Sequence, residues 1–281
     1  MVASTPCRVG LGWRPPLAGG IVAHLDRIDV LEVMAEDALR ASARERRSLR
    51  ALAREVPVWV HAVSLGLAST HPVDPKRLSD VARIVGELEP EGFSEHLAFV
   101  RAGGVEIGHL AAPPRNAATI AGCVRNVEAA RRVLGCLPVL ENVATLIEPP
   151  GSDRSEADWT VEVLLATGAE LLLDLHNLHA NASNFGWDPH ELLDRVPASK
   201  VRMVHVAGGR AGERLVDDHR HDVPAAVYDL LAEASSRAAG AWTVVLERDG
   251  DFPPVAAPLV ELDRVRAAVR AGEERRDLAR V

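Results

Sequence analysis

Cysteine is scarce. The chain has only Cys7, Cys123 and Cys136, and no two of them stand at the spacing of a metal-ligand or redox pair. Each lies in an apolar neighbourhood and reads as an inert buried thiol, so a disulfide framework is not expected and the compartment indicated is a reducing cytoplasm. Lysine is scarcer still: Lys76 and Lys200 are the only lysines, and neither ends a strand-like run. No apolar run approaches the roughly 20 residues that span a bilayer. The N-terminus also lacks the charged, apolar and small-residue regions of a secretory signal, so no membrane association is expected. No Lys/Arg run marks a phosphate-binding stripe, and the net charge of −8 repels polyanions. Nucleic acid is therefore not an expected partner.

What the chain does have is length and a repeating pattern. Its 281 residues, 47% hydrophobic and 26% charged, can bury a large core, and the length suits one (β/α)8 barrel. Eight short β-branched or Leu-rich runs recur: Arg8–Gly12, Ile28–Val33, Val56–Val63, Gly92–Phe99, Pro138–Val143, Glu170–His176, Val201–Ala207 and Trp242–Arg248. Between them, Ala38–Arg54, Pro75–Leu88, Ala117–Leu134, Ser155–Ala166, Pro189–Val196 and Ala225–Ala239 place apolar residues at helical intervals. Only Leu17–His24 separates the first two strands, enough for a short helix. Alternating strands and helices, with strands apolar throughout, predict a parallel sheet covered by helices, and eight strands predict closure into a TIM barrel. No linker divides the chain, so residues 1–281 read as one domain, closed by a charged, solvated helix over residues 264–281.

In such a barrel the working residues sit at the carboxyl ends of the strands. There the sequence places His61, Ser94–Glu95–His96, Glu141–Asn142, Asp174, His205 and Glu247–Arg248–Asp249. Loops beyond strands six and seven add His176, Asn177, His179, Asp217, His219 and His221. One such histidine or carboxylate has a bland structural explanation. Several converging carboxylates do not, because an ionised carboxylate removed from water costs several kcal/mol unless paired or coordinated, and Arg248 is the only cation the strand ends supply. Imidazoles interleaved with carboxylates, without thiolate, form the donor set of iron, manganese or zinc. The number of donors predicts two or three ions, and oxygen chemistry would select iron.

With these residues in order, the chain resembles the multinuclear non-haem iron-dependent oxidative enzymes, the family that includes the oxygenase of methanobactin biosynthesis. The resemblance runs from Gly10–Leu11–Gly12–Trp13–Arg14 to Asp249. It rests on His61, Ser94–Glu95–His96–Leu97, Leu140–Glu141–Asn142, Leu173–Asp174 with Asn177, His205–Val206–Ala207–Gly208, Asp217 with His219, and Glu247–Arg248–Asp249. It implies that His61, His96 and Glu141 hold one iron, that Glu141 bridges to a second bound also by Asp174, His205 and Glu247, and that Asn177, His179, Asp217 and His219 form a third, weaker site. Glu141, His61, His96 and Asp249 would be the catalytic group. The resemblance further implies mixed Fe(II)/Fe(III), O2 as co-substrate, a ribosomally made peptide modified at Cys, and a separate protein that presents the precursor. The segment Gly108–Arg115 departs from the common family pattern, which bears on substrate identity, and His176 stands where many members have Asn. Among the tryptophans, Trp187 is the candidate for substrate contact.

Two other readings share these residues. One is a zinc- or manganese-dependent isomerase or phosphodiesterase on the same scaffold, against which stand the missing catalytic lysine and the absence of a basic rim. The other is a non-enzymatic metal-binding subunit of a biosynthetic complex.

Overall fold

The computed structural model describes residues 7–240 and 242–279. The chain opens with β1 (Arg8–Trp13), α1 (Ala18–Ala23), β2 (Leu31–Met34), α2 (Ala35–Arg40), α3 (Ala43–Leu52), β3 (Val58–Ala62) and α4 (Pro75–Leu88). It continues with β4 (Gly92–His96), β5 (Phe99–Ala102), β6 (Val105–Ala111), α5 (Ala117–Leu134), β7 (Val139–Glu141), α6 (Glu156–Thr167), β8 (Leu171–Asp174), α7 (Leu175–Phe185) and α8 (Pro189–Arg195). It closes with β9 (Val201–Val206), β10 (Gly208–Arg210), β11 (Val216–His221), α9 (Ala225–Arg237), β12 (Thr243–Leu246) and α10 (Ala256–Leu278).

Eight strands form a closed barrel in the hydrogen-bonded order β1-β12-β9-β8-β7-β4-β3-β2, and each of the eight runs read from the sequence overlaps one of them. Their apolar character follows from burial on both faces: β3, β8 and β12 have no exposed or half-buried residue. The described residues fall into two compact units, one within Val33–Leu172 and the other within residues 7–32 and 173–279.

Within Val33–Leu172, β3, β4 and β7 pair in parallel, in a register that sets His61 beside Ser94 and His96 beside Glu141. The helices begin where capping chemistry dictates. Asp74 accepts the amides of Lys76 and Arg77 with Pro75 in the first turn of α4, Asn116 caps α5, and Ser155 caps α6. A single helix predicted over Ala38–Arg54 is instead two, α2 and α3. Ser42 breaks it, because its side chain and that of Glu45 form a reciprocal capping box that starts a new helix. The strand run predicted as far as Phe99 ends at His96, and the chain turns into an antiparallel hairpin of β5 and β6 around Gly103 and Gly104, both at positive φ. The atypical segment 108–115 thus begins as a hairpin strand. Glu106 ties β6 to Arg77 of α4 at 2.7 Å.

In the other unit, β1, β12 and β9 pair in parallel, with His205 beside Val245 and Val245 beside Gly10. A Cβ at position 10 would stand 1.9 Å from the Val30 carbonyl oxygen, so only glycine lets β1 seat here. The segment 176–179 is not a loop. Asp174 accepts the Asn177 amide at 2.6 Å and thereby nucleates α7, which carries His176, Asn177 and His179. Nor is 217–219: it lies in β11, paired antiparallel with β10. The closing helix is not a solvated tail starting at residue 264. It begins at Ala256 and buries Leu259, Leu262, Val265 and Val269, packing closely enough that a Cβ at Gly272 would stand 2.1 Å from the Ala232 carbonyl of α9. Residues 280 and 281, included in that predicted tail, lie outside the described residues.

Candidate metal centre

In Val33–Leu172, strand alternation aims Ser94 and His96 to one face of β4 and Glu95 to the other. His61 Nδ1 lies 2.9 Å from the Ser94 hydroxyl, and His96 Nδ1 lies 3.2 Å from the Ala62 carbonyl. With Nδ1 anchored, both rings present Nε2 to the same Glu141 oxygen, at 3.4 Å from His61 and 3.2 Å from His96. The rings stand edge to face with centroids 4.6 Å apart. All three residues are buried. Glu95 serves the scaffold: its carboxylate accepts the Leu65 amide at 2.7 Å, fixing the loop after β3. Burial pushes its carboxyl well above the usual range against the pull of the Leu65 amide.

In the other unit, Asp174, His205 and Glu247 bring one ligand atom each within 4.8 Å of one another, and all three are buried. Asp174 is the last residue of β8, His205 the fifth of β9, and Glu247 directly follows β12. His205 Nδ1 lies 3.0 Å from Glu247, and its Nε2 lies 3.0 Å from Glu32. A further group is His176, Asp217 and His219, in which one Asp217 oxygen lies 2.8 Å from His176 Nδ1 and 2.7 Å from His219 Nε2. His219 Nδ1 also faces Glu247 at 3.2 Å and Asp249 at 3.4 Å. Its backbone is held at φ 50°, a conformation that costs a residue with a Cβ about 1 kcal/mol or more. A Cβ at Gly209 would stand 2.4 Å from His176 Cε1, so this ring position requires glycine there.

The electrostatics follow from this packing. Burial would raise Glu247, but the positive charges of His205 and His219 hold it well below the usual carboxylate range. Burial would likewise lower His219, yet the charges of Asp217 and Glu247 raise it well above its ordinary value. Asp217 is lowered by the His219 charge and the His176 hydrogen bond, against burial. Imidazole nitrogens face these carboxylates at 3.0 Å (His205 to Glu247), 2.7 Å (His219 to Asp217) and 3.2 Å (His219 to Glu247), where a divalent ion would take the place of the protons between them, and every donor is oxygen or nitrogen. That donor chemistry fits a metal. The thiols stand apart from it: Cys123 is buried in α5 and pushed up to about 12 by that burial.

Among the histidines and carboxylates, His176 joins Asp217 and His219, and His179 is half-buried with its ring 6.5 Å from that of His176. Asn177 donates its backbone N–H to Asp174, a bond in which its side chain takes no part. The cation of the strand ends is not Arg248, which turns away to the Gly250 and Asp251 carbonyls. It is Arg14, 5% exposed, joined to Asp249 and 3.6 Å from Glu247. Glu32, fully buried in β2, is a site residue that the sequence reading missed; a glutamate inside an otherwise apolar strand was its only signal. Trp187 stacks on Phe185 with centroids 4.7 Å apart.

A closed eight-stranded (β/α) barrel, with buried imidazole and carboxylate groups gathered at or just beyond strand ends, defines a TIM-barrel protein equipped to hold metal ions. The chain belongs to the family of RiPP precursor modification enzymes of the MbnB/TglH/ChrH type, which it matches over residues 8–270. It is 38% identical to a UPF0276 protein of Streptomyces avermitilis over 93% of this chain, but spans only 54% of that relative. A UPF0276 protein of Bordetella bronchiseptica is 32% identical, over 95% of this chain and 94% of the relative. Among solved structures, a xylose isomerase domain protein from Alicyclobacillus acidocaldarius superposes with a TM-score of 0.62 at 16% identity, covering 94% of this chain and 99% of that one. That likeness bears on the fold alone.

Proposed function

We propose that this chain is a multinuclear non-haem iron enzyme that uses O2 to modify a ribosomally made peptide oxidatively at Cys, with the precursor presented by a separate protein. The observation that supports it most is the donor set: buried imidazoles and carboxylates in groups of three or more, with no thiol among them, in a chain whose family modifies peptide precursors. Nitrogen and oxygen donors without thiolate suit iron better than structural zinc.

His61 and His96, anchored through Nδ1, would hold one ion together with Glu141. A second ion would be held by Asp174, His205 and Glu247, and the family resemblance implies that Glu141 would serve both ions. Asp217 and His219 would hold a third with His176 in place of Asn177 and His179. The ions supply the redox chemistry toward O2 and a Lewis acid for the substrate thiolate. The protein's own part is to keep donors rigid on strand ends and to keep a base ready. Against burial, the His219 hydrogen bond and the Arg14 charge favour the ionised form of Asp249, whose Oδ2 faces His219 Nδ1 at 3.4 Å, and this carboxylate would accept a proton from the substrate.

The test is aerobic incubation of iron-loaded protein with a Cys-containing precursor peptide and its presenting protein. Oxygen uptake should accompany a mass change in the peptide. A preparation holding one zinc per chain and fully active in a non-redox reaction would overturn the proposal.

A further inference from the structure

Glu32 and His205 are both fully shielded from solvent, and the Glu32 carboxylate lies 3.0 Å from His205 Nε2. A carboxylate can only accept here, so each ring nitrogen that faces one carries a hydrogen, and the hydrogen that a metal ion would replace is the one on the side of the gathered donors. The opposite nitrogen, Nδ1, faces Glu247 at 3.0 Å, on the side where the donor atoms gather. His61 and His96 are arranged the other way round, with Nδ1 anchored and Nε2 presented. Glu32 is not itself among the gathered donors. It is nonetheless a buried polar group that needs a fixed partner, and beyond the His205 ring its surroundings include Arg14.

We infer that Glu32 is a positioning residue that fixes His205 as its Nε2–H tautomer, so that His205 binds its metal through Nδ1, unlike the two histidines of the other unit. The inference rests on the proposed metal site. An outer carboxylate on a ligating imidazole orients the ring and raises the basicity of the ligating nitrogen, and losing it typically costs 10–100-fold in metal affinity. Glu32→Gln keeps an acceptor for Nε2–H but removes the charge, so about a 10-fold loss is expected. Glu32→Ala removes both, with a loss toward 100-fold. The strand is packed by its neighbours Leu31 and Val33, both buried, and Gln is close to Glu in volume.

The experiment uses Zn2+ as a diamagnetic probe. Protein labelled with 15N at histidine is titrated with Zn2+, its affinities are measured by chelator competition, and the ring nitrogens are assigned by NMR. The expected result is Nε2–H with zinc on Nδ1 for His205, zinc on Nε2 for His61 and His96, and an affinity loss in Glu32→Gln confined to the ion at His205. Zinc on Nε2 of His205, or an unchanged affinity in both Glu32 variants, overturns the inference while leaving the metal site standing. If the unaltered protein takes up no zinc at these histidines, the metal-site reading fails and the inference with it. Should the variants fail to fold, the nitrogen assignment in the unaltered protein decides alone.

Discussion

Arg14 and Asp249 lie 235 residues apart in sequence and are joined by two hydrogen bonds to one carboxylate oxygen, the first 3.0 Å from Nε. The guanidinium is almost wholly buried and also faces Glu247 at 3.6 Å. It is the fixed positive charge among the carboxylates at the ends of β1 and β12. Burial would raise Asp249, and the His219 hydrogen bond and the Arg14 charge bring it below its ordinary value. Removing Arg14 therefore leaves two carboxylates short of a cation. Arg14→Ala should destabilise the metal-free protein by about 3 kcal/mol, the low end for breaking a buried pair, since the Asp249 side chain keeps 44% exposure. Denaturant unfolding in the presence of chelator measures this. A change under 1 kcal/mol would mean that the imidazolium groups already suffice.

The histidines of α7 separate the third site expected from the sequence from the donor cluster of His176, Asp217 and His219. His176→Ala should remove one ion per chain, whereas His179→Ala should leave the metal content unchanged. Asp217 and His219 sit on a two-stranded sheet outside the barrel, so mild chelation of the unaltered protein should release this ion first. Elemental analysis after each treatment gives the answer. Loss of metal in His179→Ala, with His176→Ala unaffected, would restore the original assignment.

Sharing of Glu141 has a numerical signature. Glu141→Gln should lower occupancy by about two ions per chain and His61→Ala by about one, with circular dichroism unchanged in both because other residues pack the barrel. Equal losses in the two variants would remove the case for sharing.

Away from the metal centre, Glu261 in α10 accepts the Val223 amide at 2.8 Å. Burial raises its carboxyl above the ordinary value, outweighing that hydrogen bond. A carboxyl raised by folding binds more protons folded than unfolded, so its contribution to stability declines as pH rises from its unfolded value, about 4.3, through its folded one. Gln preserves an acceptor without the charge. Glu261→Gln should thus gain in stability relative to the parent as pH rises from 4 to 7, read from urea midpoints at the two pH values. A constant difference between the two proteins would show that Glu261 does not titrate in this range.

The glycine of β1 gives a test of the fold itself. The close approach of the Val30 carbonyl leaves no room for a methyl group at position 10, and both strands must shift to admit one. Gly10→Ala should cost more than about 2 kcal/mol, in the range of overpacking, while the same change at Gly19, which has nothing within 4 Å, should be near neutral.

Much of this molecule is decided locally. The eight strands are legible because residues buried on both faces must be apolar whatever lies around them, and α4 and α5 are legible to the residue because Asp74–Pro75 and Asn116 carry their own start signals. His61, His96, Glu141, Asp174, His205 and Glu247 stand out because polar groups ending apolar strands violate that local rule. What tertiary structure alone decided is who faces whom. Arg14 finds Asp249 across 235 residues, Glu32 meets His205 across 173, and His176 rather than His179 meets Asp217 because Asp174 starts a helix there. These choices depend on strand register and on the direction in which a helix leaves its cap. Composition and spacing along the chain carry neither, because the energy that selects them comes from long-range pairing of buried charges.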